Sequence, residues 1–365
     1  WRFLPFLAHD APSRRRHKIH ATHENQMSHP QTEDKERPVV TVLVAVYNAA
    51  AHLKECIESL KRQSLRNLQV ICVDDASTDA SWRILNSLTA GDPRFELIRL
   101  ASNQGQAYAR NVALKQAAGE FVAFLDSDDS LSDDALESAV NVFRAHGKTD
   151  AVLFRLVKFE DTSAGRVEAA YPMPAFEALD GREAFKKSLD WQLHGIYVAR
   201  RSLYERFPFD DTCRTYSDDN TTRLHYYASR EVRCCNGIYF YRQHGSSVTH
   251  RVSVRRFDYL RACESMKRQL LALGVGDDIL DLYENQRWLI LIDLCMFRHF
   301  HHKSLTPSEN RYGRDELKRV WANVERSRLS PRLKRKFGYC PTPFWWLFVM
   351  EEWCYFTLRR VLRRR

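Results

Sequence analysis

FVAFLDSDDS, residues 121–130, is the stretch that decides the fold. Phe121 to Leu125 form an unbroken apolar run that stops at Asp126, Ser127, Asp128 and Asp129. Apolar residues without alternation suit a strand buried on both faces, as in a parallel sheet covered by helices. The acidic end then lies beyond the carboxyl end of the strand, where open α/β sheets bind their ligands. Upstream, LQVICVDDASTD (68–79) repeats the arrangement, and TVLVAVYN (41–48) ends in Tyr47 and Asn48.

Amphipathic segments lie between these runs. Leu53, Cys56, Ile57 and Leu60 fall on one helix face, a second helix is predicted around Trp82 to Leu88, and a third from about Gln106 to Ala118, with FELIRL (95–100) as a further strand. Strands alternating with helices predict an α/β domain with a mainly parallel sheet and helices on both faces. A helix over about 132–145 and a strand at 151–159 (AVLFRLVKF) continue the pattern. Across 160–255 no period dominates, which suggests a binding surface assembled from loops. Helical spacing returns from Phe257 to about Arg298. The expected organisation is a disordered basic lead-in (1–37), an α/β catalytic domain (38–255), a helical extension (256–340) and an aromatic, basic amphipathic tail (341–365).

Composition excludes some classes. A 44% hydrophobic chain of 365 residues can bury a substantial core and is not a disordered protein. Its formal charge of +10 implies attraction to something anionic: a nucleotide, a phospholipid surface or nucleic acid. The nine cysteines are scattered without a C-x-x-C pair, which reads as reduced thiols in a cytosolic protein. Residues 1–38 lack the apolar core of a secretory signal. The longest apolar run of the tail, Phe344 to Met350, is too short for a bilayer, which needs about 20 residues. Its tryptophans and closing arginines suit either an interfacial helix on an anionic membrane or packing on the domain.

Three carboxylates at one strand end, Asp126, Asp128 and Asp129, supply the hard oxygen donors that Mg²⁺ or Mn²⁺ takes. Asp79, after Ser77 and Thr78, reads as a helix cap.

Taken together, TVLVAVYNAAAHLKECIESLKRQS, VICVDDASTDAS, NQGQAYARNVALKQAAGEFVAFLDSDD and the later SDDN resemble family two of the inverting, nucleotide-sugar-dependent glycosyltransferases with the A-type, Rossmann-like fold. The resemblance covers roughly residues 39–250. It implies metal-dependent transfer of a sugar from a nucleoside diphosphate, a UDP-sugar, to the hydroxyl of a glycan or lipid-linked acceptor. By the same resemblance Ala45, Tyr47 and Asn48 lie along the nucleotide, and Asp74 and Asp75 recognise its base and ribose. Arg110 borders the donor, where it either pairs with a phosphate or ties helix to sheet. Asp218 stands where the family usually has Glu, and Asp219 takes the place of the general base. Tyr241, Arg242 and the Ser/Thr-rich turn after them close over the pyrophosphate. The processive signature Q-x-x-R-W is absent, which argues for addition of single sugars, with assembly of a bacterial surface polysaccharide at the inner membrane face as the expected setting. Two other classes compete. A sugar-phosphate nucleotidyltransferase would carry a Gly-rich basic loop after its first strand, and AVYNAAAHLKE has none. A nucleic-acid-binding protein rests on charge alone, so no nucleic acid partner is expected.

Overall fold

The computed structural model describes residues 37–163, 165–213, 216, 218–243 and 252–362. Strands β1 (Val40–Val46), β2 (Leu68–Asp74), β3 (Phe95–Arg99) and β4 (Phe121–Phe124) are connected by helices α1 (Leu53–Lys61), α2 (Ser81–Thr89) and α3 (Gln106–Leu114). β1 pairs in parallel with β2 and β4, and β2 with β3, with Val46 opposite Asp74. This half of the sheet follows the predicted pattern.

The second half is mixed. It comprises β5 (Ser130–Leu131), α4 (Ala135–Ala145), β6 (Thr149–Thr162), β7 (Gly165–Ala170), α5 (Gly181–Leu189), β8 (Tyr197–Arg200), α6 (Arg201–Arg206), α7 (Asp218–Ala228) and β9 (Glu231–Arg242). The order across the sheet is β3-β2-β1-β4-β8-β6-β9-β5, with β7 paired to β6. β8 runs antiparallel to both β4 and β6, while β6 and β9 are parallel. The strand expected at 151–159 is the middle of the longer β6, which runs out into an exposed hairpin with β7.

Alternate residues of the central strands feed two separate cores. Val40, Val42, Val44 and Val46 pack with α1, α2 and α4, whereas Leu43 and Ala45 pack with α3, α6 and α7 on the opposite face. Both faces of β1 are therefore dry, which is why its sequence shows no polar alternation.

Beyond residue 252 the chain is helical: α8 (Asp258–Ala272), α9 (Asp277–His301), α10 (Pro307–Asn323), α11 (Pro331–Arg335) and α12 (Trp345–Leu362). A third core centred on Trp288, Leu291, Leu294, Phe348 and Phe356 joins α9 to α12. A fourth links α5 and α7 to α8 and α9 through Phe185, Leu224, Met266, Ile279 and Tyr283. The helices are thereby welded to the sheet domain, and Arg37–Arg365 form one compact unit. One side of α12 packs on the domain. Phe348 and Phe356 are buried, while Trp346, Met350 and Trp353 remain exposed. Among the described residues no helix is long and apolar enough to cross a membrane.

Candidate active site

The carboxyl ends of β1 and β2 form a tightly bonded corner. Asn48, in the left-handed region at φ 50°, accepts from the backbone N–H of Thr78 at 2.8 Å and of Asp79 at 3.3 Å. Asp79 in turn accepts from the N–H groups of Ala50 and Ser81, tying the β1 end to the start of α2, although the N-cap position itself falls on Ala80 and not, as expected, on Asp79. Ala45 is buried inside the sheet and Tyr47 stands open to solvent.

Asp74 and Asp75, expected to face the nucleotide, are both buried. Asp75 accepts from the N–H of Gln104 at 2.7 Å and of Gly105 at 2.8 Å, so its carboxylate organises the start of α3. Gly105 has φ 97°, which glycine adopts without penalty. One oxygen of Asp74 faces Arg99 at 3.2 Å. The other is buried without a hydrogen-bond partner among the described residues.

The acidic cluster after β4 divides. Asp129 is 1% exposed and accepts from Tyr239 Oη and from the N–H of Arg242, each at 2.7 Å. Burial and the neighbouring Asp126 and Asp128 push its carboxyl well above the ordinary range. Through these bonds Asp129, the expected third metal ligand, anchors β9 to the β4 loop. Asp126 and Asp128 are half-buried at the surface of the site. Asp126 pairs with Arg110 and accepts from Gln106 Nε2 at 2.8 Å. Burial raises the Asp126 pKa; Arg110 opposes the shift, and Asp128 and Asp218 add to it.

Both candidate phosphate-binding arginines are engaged. Arg110 is buried beneath Asp126 and stacks on Phe124 at 4.2 Å. Arg242 is held between Glu55 and Asp161, with its Nε donating to the Asp128 carbonyl at 2.9 Å. The turn beginning at His244 lies outside the described residues.

Asp126, Asp218 and Asp219 converge on one cavity of about 390 Å³, whose wall also includes Tyr241. Asp218 and Asp219 open α7, with Asp218 exposed and Asp219 half-buried. Asp219 accepts from Tyr259 Oη at 3.0 Å and lies 3.8 Å from Arg223. Burial pushes its carboxyl up to about 7, against the opposing pull of Arg223 and with a further push from Asp218.

Residues 41–212 match the family model described as Glycosyl transferase family 2. The chain carries a family 2 glycosyltransferase domain. EpsH of Bacillus subtilis is 32% identical over 232 residues, covering 61% of this chain and 66% of EpsH. A teichoic acid poly(glycerol phosphate) polymerase of Staphylococcus epidermidis is 25% identical over 292 residues, covering 72% of this chain and 40% of the polymerase. The chain thus spans less than two thirds of either relative. The crystal structure of S. aureus TarS 1-349 in complex with UDP-GlcNAc superposes with a TM-score of 0.68 at 19% identity, covering 89% of this chain and 92% of that one. That likeness establishes the A-type fold together with its helical C-terminal region.

Sequence reasoning missed several residues that the family 2 domain brings to the cavity: Lys158, Tyr171, Trp191, His194 and Thr222 line it, and Tyr259 binds Asp219. Lys158 carried a signal, since it breaks an apolar strand. The others come from the aperiodic stretch or, for Tyr259, from a helix of the extension. Burial holds His194 down to about 4, so it is neutral at physiological pH.

Among the described residues no three His, Cys, Asp or Glu side chains form a ready metal cage. The donor set nevertheless fits Mg²⁺ or Mn²⁺, because such ions are commonly held by one or two carboxylates with substrate phosphates completing the shell. Asp126 and the half-buried Asp128 supply hard oxygens of that kind.

Proposed function

We propose that the chain transfers single sugars from a UDP-sugar to an acceptor hydroxyl with inversion, in bacterial surface glycan assembly. The observation that carries this reading is the meeting of Asp126, Asp218 and Asp219 in one cavity at the β4 end. Asp219 is the general base. Its carboxyl, raised to about 7, is well matched to accepting a hydroxyl proton near neutral pH. The acceptor oxygen attacks the anomeric carbon as its proton passes to Asp219. The bond from that carbon to the pyrophosphate oxygen breaks, and the nucleoside diphosphate leaves with the electron pair.

Asp126 and Asp128 would hold a divalent cation, which when bound offsets the charge developing on the pyrophosphate. Tyr47, open to solvent beside the exposed Asn48 and the buried Ala45, is the accessible wall for the nucleotide at the β1 end. The partnerless oxygen of Asp74 is the acceptor left for it at β2. In this reading the acceptor is a lipid-linked glycan at the inner face of the cell membrane, with the exposed side of α12 against anionic headgroups.

Calorimetric titration of UDP with and without Mn²⁺ tests the metal assignment. Asp128→Ala should abolish the Mn²⁺-dependent part of the affinity while the protein remains folded. Unchanged metal-dependent binding would remove Asp128 from the site.

A further inference from the structure

Trp191 is the least expected residue of the cavity. Its backbone has φ 63°, a conformation that bulky side chains rarely adopt, yet its indole is 40% exposed. Strain of this kind persists only where the surroundings enforce it. Here they do so on several sides. Tyr171 Oη donates to the Trp191 carbonyl at 2.5 Å, and Tyr226 Oη to the His194 carbonyl at 2.6 Å. Gly195 lies so close to α7 that a Cβ there would sit 2.9 Å from Thr222 Oγ1. The Arg223 guanidinium stands 5.5 Å from the centre of the Trp191 ring, and the same group flanks Asp219. The result is a fixed aromatic shelf in the cavity that contains the base, held at the cost of backbone strain and of an exposed indole.

We infer that Trp191 is the stacking platform for the acceptor, and that the acceptor presents a pyranose ring there with its reacting hydroxyl toward Asp219. This inference rests on the glycosyltransferase reading above. A pyranose offers a flat face of C–H bonds, which packs on an aromatic ring while its hydroxyls remain solvated or hydrogen-bonded. An acyclic polyol phosphate offers no such face. Each of its phosphodiesters would also bring a negative charge to a cavity lined by Asp126, Asp218 and Asp219, where Arg110 already faces Asp126, Arg223 already faces Asp219 and the Trp191 ring, Lys158 is the lining cation and His194 is neutral.

Steady-state transfer from a panel of UDP-sugars with Mn²⁺ provides the test, using methyl pyranosides and poly(glycerol phosphate) as alternative acceptors. UDP release without acceptor is followed in parallel. Trp191→Ala and Trp191→Gly should each raise the pyranoside KM at least tenfold and lower the ratio of transfer to hydrolysis. Trp191→Phe, which keeps a ring, should restore most of both. Glycine is at ease at φ 63°, so Trp191→Gly should not lower the Tm, and a loss of transfer there cannot be ascribed to unfolding. Wild-type KM in both the Ala and Gly variants overturns the inference. So does transfer by the wild type to poly(glycerol phosphate) but not to pyranosides. UDP release and transfer absent with every donor would instead defeat the glycosyltransferase reading itself, and this inference with it.

Discussion

Two Asp-Asp pairs, one at the end of β2 and one at the start of α7, are used differently by the fold. At the end of β2 both Asp74 and Asp75 are enclosed, and Asp75 has each oxygen filled by a backbone N–H. At the start of α7, Asp218 is exposed and Asp219 faces a cavity with a carboxyl raised to about 7. In the first pair Asp75 is satisfied by the chain and builds a loop, while one Asp74 oxygen is buried without a hydrogen-bond partner among the described residues. In the second, Asp219 accepts one hydrogen bond from Tyr259 of α8 and faces the cavity. Identical dipeptides thus differ in their capacity for chemistry because their environments set how much the charged form costs.

The largest effect separating the pairs should come from Asp219→Asn. Turnover should fall at least about 10²-fold while UDP affinity stays near wild type, as measured by product release and titration. Transfer by the wild type should rise as pH passes about 7, where Asp219 loses its proton. Stability should move the other way. A carboxyl at 3.8 when unfolded and about 7 when folded contributes stability that is full below the lower value and lost as pH rises through the upper one. The decline in Tm over that window should therefore be smaller in Asp219→Asn, and an equal decline would show that Asp219 is not the group responsible.

A smaller effect, on stability alone, belongs to the β2 pair. Asp75→Ala removes the acceptor for two backbone N–H groups and should cost about 2 to 3 kcal/mol in denaturant unfolding. Asp218→Ala, on an exposed first turn, should cost less than about 1 kcal/mol. Equal losses would erase the distinction between a built-in pair and a functional one.

The smallest change in stability is expected on α12. Trp346→Glu with Trp353→Glu alters two exposed positions and should shift stability by no more than about 0.5 kcal/mol. Sedimentation with anionic vesicles should nevertheless fall, and more so than with neutral ones. Vesicle binding equal to wild type would leave the outer face of α12 without a role at the membrane.

The first half of the sheet was legible because its determinants are local. Uninterrupted apolar strands, one-face helices and aspartates at strand ends occur in register along the chain, so β1 to β4 and the acidic strand end at Asp126 could be read directly. The second half was not, because β8 and β9 take their places from partners distant in sequence, and β6 changes from buried to exposed along its own length. A similar limit applied to the acids. Asp126, Asp128 and Asp129 look equivalent in the sequence, yet only Asp129 is bonded by Tyr239 and the Arg242 N–H, both brought in by β9.

From its sequence alone, then, the chain determined the α/β layering, the parallel half of the sheet and the placing of acidic residues at its strand ends. These depend on side-chain period and residue type, which neighbours along the chain specify. Tertiary structure alone decided which carboxylates stay open, the raised pKa of Asp219 beneath Tyr259, the engagement of Arg110 and Arg242, and the strained shelf at Trp191. Each of those depends on desolvation and on donors from remote segments, quantities that exist only once the chain has closed on itself.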